Sequence, residues 1–148
     1  TVENGETFVV LNRLGVVYSI TRDEVVIQSR DLIGCHNLVF SGGNLIINNS
    51  KKKHIYIFNL RDRVVRTINM LEFPEIKEIH DEAERDNPSK RVIFLRGLHE
   101  LSTSRFLVGF SPASVAEIDI ESSRLIKVFQ YSRDVSNCVH GPFSWDRR

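Results

Sequence analysis

Short apolar segments recur along the chain in a fixed order, with polar or glycine-containing turns between them. Their length of about five residues is typical of β-strands rather than helices. In each repeat, a mostly apolar strand is followed by a second strand and then by a third that begins at a charged residue. The three repeats place these strands at 8–12, 16–20 and 24–26, at 44–48, 55–60 and 63–66, and at 106–110, 115–120 and 124–127.

A further strand opens two of the three repeats. It is predicted at 36–40 and at 98–102, in each case just before the apolar strand of the repeat. No such strand is apparent before the first repeat, but residues 138–143 show the same pattern after the third. We therefore predict that the N- and C-terminal strands share one sheet. Repeats of four short strands are typical of β-propeller blades, so the sequence predicts an all-β propeller with three four-stranded blades.

Three twisted blades are too few to surround an axis, because propellers typically carry about 4–8 blades. Two chains that together form a six-bladed ring would solve this problem, so we expect a homodimer in which each chain is half of the ring. The alternative is that the chain belongs to a longer propeller that supplies the remaining blades. In both cases residues 1–148 are expected to form a single domain.

The connection between the second and third repeats is much longer than the other connections, which indicates an insertion at about residues 72–91. Pro74 suits the first position of a helix. Ile76, Ile79 and Ala83 recur at helical spacing and form one narrow apolar stripe. We predict a short amphipathic helix that packs on its own subunit.

Charge and composition exclude several classes of function. The chain has 20 Lys and Arg residues against 19 Asp and Glu, so no overall field would attract nucleic acid or an acidic membrane. The basic run at 51–53 falls at a predicted hairpin and is interpreted as a solvated turn. No apolar segment is long enough to span a membrane, and no signal peptide is apparent. We expect a cytoplasmic protein with neither nucleic-acid nor membrane partners.

The chain has two cysteines, Cys35 and Cys138. They are too few for a disulfide scaffold, and no CxxC spacing indicates a zinc site. They are predicted to be buried free thiols.

Three histidines, His36, His99 and His140, occupy matching places in the predicted opening strands. The opening strand of a propeller blade is innermost, so a six-bladed dimer would place six imidazoles around its channel. Imidazole binds divalent metals and acts as a general acid or base near neutral pH. These residues are therefore candidates for ligand binding or, alternatively, for holding a divalent metal. A structural role as hydrogen-bond donors between blades is the competing interpretation.

Polar residues beside these histidines extend the candidate site. Asn37, Arg96 and Glu100 lie in or next to the opening strands, where loops gather at one mouth of a propeller. His54 and His80 fall outside the repeated pattern and are expected at the surface. Motifs for a serine nucleophile, a zinc protease, a P-loop or a dinucleotide site are absent, so no catalytic residue is assigned.

The stretches 58–62 and 118–122 share an apolar strand end with a central Asn or Asp, followed by a turn and a strand that begins with a basic residue. In these stretches the chain resembles the six-bladed NHL-repeat and gluconolactonase-like families. The resemblance implies a propeller architecture. Gluconolactonase-like enzymes hold a divalent metal with Glu, Asn and Asp, and no matching set can be placed residue by residue in this chain.

Together these features predict a non-catalytic propeller that serves as a binding platform for a protein or a small ligand. The alternative is a metal-dependent enzyme, a hydrolase or lactonase-like protein, that uses a central histidine ring and a divalent metal as its cofactor.

Overall fold

Three antiparallel sheets follow one another along the chain in the computed structural model, which describes residues 2–3, 5–88, 92 and 95–141. Strand order within each sheet follows the order in the chain, so hairpins make the connections inside each sheet. The first sheet contains β1 (Val2–Glu3), β2 (Glu6–Leu11), β3 (Val16–Ser19) and β4 (Glu24–Gln28). The second contains β5 (Cys35–Ser41), β6 (Asn44–Asn49), β7 (His54–Asn59) and β8 (Val65–Asn69), and the third contains β9 (Leu95–Glu100), β10 (Arg105–Phe110), β11 (Ser114–Asp119) and β12 (Arg124–Gln130).

Within the described residues, two one-turn 3-10 helices and one α-helix lie in the connections between the sheets. Arg30–Leu32 lies between the first and second sheets, and Met70–Glu72 leads into the helix α1 (Pro74–Asp86) ahead of the third sheet. The basic run at 51–53 forms the turn between β6 and β7, as predicted. Among the described residues, no helix is both long and apolar enough to cross a membrane.

The second sheet is buried on both faces. Leu45 and Ile47 pack with the first sheet, whereas Ile46 and Ile57 pack with the third. Because successive side chains of a strand point to opposite faces, a continuous apolar run serves both neighbours. The first and third sheets therefore lie on opposite faces of the second.

One backbone hydrogen bond recurs in all three sheets and aligns them. In each sheet the residue that follows one hairpin strand donates its N–H to a carbonyl at the start of the strand before it. The three bonds run from Ile20 to Thr7 (2.9 Å), from Leu60 to Gly43 (3.1 Å) and from Ile120 to Ser104 (2.8 Å). Thr7, Gly43 and Ser104 are thus equivalent. The first two repeats align as the sequence predicted. In the third repeat the residue equivalent to Phe8 and Asn44 is Arg105, one position before the predicted Phe106.

Side-chain hydrogen bonds explain two strands that differ from their predicted bounds. The Asn59 Oδ1 accepts the N–H groups of Arg61 and Asp62, which extends the turn so that β8 begins at Val65 rather than at residue 63. A turn in which the Ser102 Oγ accepts the Arg105 N–H ends β9 at Glu100, whereas a strand over 98–102 was predicted.

The predicted helix is present within residues 72–91, of which residues 89–91 lie outside the described part. Pro74 is its first residue, Ile76 and Ala83 are buried, and Ile79 packs against the core between the second and third sheets. The prediction that His80 is exposed was wrong. It lies one position after Ile79 on the buried side of the helix, with its Nδ1 3.3 Å from the Asp81 carboxylate.

The prediction that the two chain ends share the first sheet is not met by the described residues. β1 already pairs with β2 at Glu6 and Thr7. Residues 131–141 contain no strand, and this segment lies against the third sheet, where the Asn137 carbonyl accepts the Ala113 N–H (2.9 Å). The second sheet separates it from the first sheet of its own chain. Residues 142–143 of the predicted strand lie outside the described residues.

We expect Ile76→Ala to lower the free energy of unfolding by about 2–5 kcal/mol, because the side chain is 0% exposed and the substitution leaves a cavity in the core. Urea denaturation measures the change. Glu78→Ala, at an exposed position of the same helix, is the matched control and should stay within about 0.5 kcal/mol of the wild type. Equal stability of both variants would contradict the observed packing of the helix.

Candidate functional site

The opening strands of the second and third sheets, β5 and β9, lie side by side, and β5 also contacts β2 of the first sheet. We call the edge formed by β1, β5 and β9 the inner edge. Asn12, His36 and Arg96 meet there, each from a different sheet or the turn next to it. The Asn12 Nδ2 lies 3.4 Å from the His36 Nε2, and the Arg96 Nη1 lies 3.3 Å from the same nitrogen. These three residues form the inner-edge cluster.

The arginine directs an N–H group toward the imidazole of His36. The Arg96 Nη1 is 3.4 Å from the His36 Nδ1 and 3.3 Å from its Nε2. The tautomer of the imidazole decides which ring nitrogen accepts this hydrogen bond. The contact holds the guanidinium group at the inner edge.

Two of the predicted site residues, Asn37 and Arg96, lie at β-bulges, which change the direction of their side chains. In β5, His36 pairs with Asn48 and Leu38 pairs with Ile47, so Asn37 is an extra residue. Its φ of 35° and its exposure are typical of a bulge. In β9, Arg96 is the extra residue between two paired neighbours. Bulges of this kind redirect side chains near binding and catalytic sites.

Two asparagines at equivalent positions hold neighbouring sheets together at the inner edge. Asn12 and Asn48 are each the fifth residue after the aligned positions Thr7 and Gly43. The Asn12 Oδ1 accepts the Gly34 N–H (3.2 Å), and the Asn48 Nδ2 donates to the Gly97 carbonyl (2.8 Å). Asn48 is 0% exposed, and its Oδ1 has no hydrogen-bond partner within the described part of the chain.

An open cleft of about 410 Å³ lies between β2 and β5, next to the cluster. Asn12, His36 and Asn37 supply its polar groups, while Phe8 and Val10 are among the apolar groups. A ligand in this cleft would contact an imidazole and two amides beside an apolar wall. Mixed linings of this kind are common in small-molecule sites.

The two cysteines differ in their surroundings. Burial raises the pKa of the Cys35 thiol to about 12, although a hydrogen bond with Asn49 and the charge of Lys52 act in the opposite direction. Burial also raises the pKa of Cys138, against the charge of Arg96 and a hydrogen bond with Ser111. Both thiols are free, as predicted, but only Cys35 is buried. Cys138 is half-buried, so the prediction of its burial was wrong. The segment that carries Cys138 thus reaches the neighbourhood of the cluster.

The three histidines do not occupy equivalent positions. His36 pairs with Asn48, the fifth residue of β6, whereas His99 pairs with Leu107, the third residue of β10. The residue of β9 that is equivalent to His36 is therefore Gly97, which pairs with Gly109, the fifth residue of β10. His140 is exposed and follows the last described strand. The matching sequence pattern therefore did not correspond to matching structure.

Glu100 lies apart from the cluster. Its Oε1 accepts a hydrogen bond from the Ser41 Oγ (2.5 Å), which joins the third sheet to the second at the far end of β9. Glu100 is four positions after Arg96 along an extended strand, which corresponds to a distance of roughly 13 Å. The contact indicates a structural role for Glu100.

No group of three His, Cys, Asp or Glu residues is placed to hold a metal ion within the described ranges, which include all three predicted histidines. The central histidine ring consequently gains no support from the placement of these side chains.

Sequence reasoning missed Asn12 and Asn48. Their signal was visible, because both end the apolar strand of their repeat at the same position. The third repeat has Gly109 at the equivalent position, so the asparagine does not recur in all three repeats and the pattern is weak.

No protein-family model matches the chain, and the comparison with curated proteins finds no match. The resemblance to NHL-repeat and gluconolactonase-like propellers remains a prediction.

We expect only Cys138 to react with a thiol reagent such as DTNB at pH 8 in the native protein. Cys35 is 1% exposed, and with a pKa of about 12 its thiolate is scarce at that pH. Native protein should yield one modified thiol per chain, and urea-unfolded protein two. Cys138→Ser should yield none until it unfolds. Rapid modification of that variant under native conditions would contradict the burial of Cys35.

Proposed function

We propose that the chain is part of a β-propeller and contributes three of its blades. The support is that three four-stranded sheets have the same strand order and pack face to face, and that the opening strands of the second and third sheets lie side by side. Successive propeller blades stack in this manner around a central channel. The inner edge then borders the channel.

The function that fits this frame best is that of a non-catalytic platform that binds an anionic ligand at the inner edge. The carrying observation is the inner-edge cluster, where Arg96, His36 and Asn12 converge from three consecutive sheets beside an open cleft. Guanidinium, imidazole and amide N–H groups are suited to carboxylate or phosphate oxygens. Because each group comes from a different sheet, stacking of the sheets preorganises the site.

The chemistry around His36 favours binding over nucleophilic catalysis. A histidine base activates a hydroxyl or thiol that lies within hydrogen-bond reach. The cluster instead places a guanidinium and an amide on the ring. The adjacent thiol of Cys35 is a poor nucleophile, because burial raises its pKa to about 12.

Titration of the protein with citrate and with inorganic phosphate tests this function. We expect calorimetry to detect binding of at least one of them, with an affinity that falls as the salt concentration rises. Arg96→Met should weaken that binding about tenfold or more, since a hydrogen bond to a charged group contributes about 1.5–3 kcal/mol.

Arg105→Met is the matched control for this titration. Arg105 is exposed in β10 and pairs with Glu117 (3.1 Å), outside the inner-edge cluster. The control should bind as the wild type does. If the wild type binds neither anion at millimolar concentrations, or if both variants bind equally, the proposed function is wrong.

A further inference from the structure

Two sheet faces of the chain carry apolar side chains that no described sheet covers. On the third sheet, Leu107, Val115 and Phe129 line a groove of about 210 Å³, and Phe129 is 60% exposed. On the first sheet, the face opposite the second sheet includes Leu11, 39% exposed, and Val25, 52% exposed. Apolar surface on opposite ends of a stack is suited to association.

Each of these two exposed faces is equivalent, by position in the repeat, to a face of the second sheet that is buried inside the chain. Leu107 is the third residue after Ser104, as Ile46 is the third after Gly43, and Ile46 is fully buried against the third sheet. Val9 and Leu11 of the first sheet likewise correspond to Leu45 and Ile47, which are fully buried against that sheet. A third-sheet face placed on a first-sheet face would repeat a junction that the chain already makes twice.

The segment after β12 occupies the place of a following opening strand. Asn48 of the second sheet contacts the Gly97 carbonyl of β9 through its side chain. Gly109 is the equivalent residue of the third sheet, and a Cβ built on it would lie 2.3 Å from the Val139 carbonyl oxygen. Glycine at this position allows residue 139 to approach. Residues 137–141 therefore lie on the third sheet as β9 lies on the second.

The inner edge of the first sheet has room for a strand. β1 pairs with Glu6 and Thr7 alone, and within the described residues no strand pairs with 9–11 on that side. Thr7 directs its carbonyl toward β3, so alternation directs the backbone N–H of Val10 toward the open inner edge. The cleft of about 410 Å³ begins at this edge.

The geometry points to a second copy of this chain as the partner. We propose that two chains join head to tail, third sheet to first sheet, and that residues 137–141 of each supply an opening strand to the first sheet of the other. Residues 137–141 do not reach the first sheet of the same chain, because the second sheet stands between them. This inference rests on the propeller arrangement proposed above.

Sedimentation analysis of the full chain tests the pairing. We expect the wild type to sediment at twice its 17.0 kDa mass. Gly109→Ala should weaken the dimer about tenfold or more, because the added Cβ displaces the Val139 segment. Val10→Pro should do so as well, since it removes the edge N–H, whereas Val10→Thr keeps that group and should dimerise as the wild type does.

Mixing the two weakened variants makes the test specific for strand exchange. A heterodimer of Gly109→Ala with Val10→Pro retains one junction in which both sides are wild type, but each homodimer retains none. Random pairing would already make the heterodimer half of all dimers, so native mass spectrometry of the equimolar mixture should find a heterodimer share well above one half.

Three results would overturn the exchange: a folded wild-type monomer at about 100 μM, far above a micromolar dissociation constant, a dimer that neither variant weakens, or a statistical mixture. A monomer that still binds citrate or phosphate through Arg96 would overturn the exchange and leave the proposed function intact. Circular dichroism of each variant must match the wild type, so that misfolding is not scored as dissociation.

Discussion

Burial of the second sheet on both faces is the constraint on which the rest of the structure depends. The strands β6 and β7 carry continuous apolar runs at 45–47 and 55–58, so neither face can be left in water without a large loss of hydrophobic stabilisation. The first and third sheets cover these two faces. Once they are in place, the opening strands of neighbouring sheets are brought together, and the inner edge is a consequence of that stacking.

Polar contacts at the inner edge fix how the sheets meet. Asn12, Asn48 and Ser41 each make a hydrogen bond to the following sheet or to the segment that leads into it. Hydrophobic packing is not directional, whereas a buried amide left without a partner costs roughly 1–3 kcal/mol. These contacts therefore select one stacking geometry among many that would bury similar area. The Arg96–His36 contact lies at the same boundary, and Asn12 belongs both to the candidate site and to the contacts between the sheets.

The same repeated junction connects the proposed platform with the proposed partner. The second sheet contacts one neighbour with each face, and the outermost faces of the first and third sheets also carry apolar side chains. A repeat protein is expected to bury such faces with further repeats. A ligand site built from residues of successive sheets would also depend on that assembly, since stacking positions its side chains.

The sequence by itself determined the strand order of the second and third sheets, the helix near residues 74–86 and the free state of both thiols. It missed β1, which opens the first sheet. Strand periodicity, helical spacing and turn residues are local properties, and they depend little on distant parts of the chain. It did not determine register. The bulges at Asn37 and Arg96 move side chains by one position, and the turns at Asn59 and Ser102 shift strand ends, so three histidines that match in sequence occupy different places. Only the tertiary structure decided which residues meet at the inner edge, because the cluster joins side chains from three sheets whose relative position comes from packing and not from spacing along the chain.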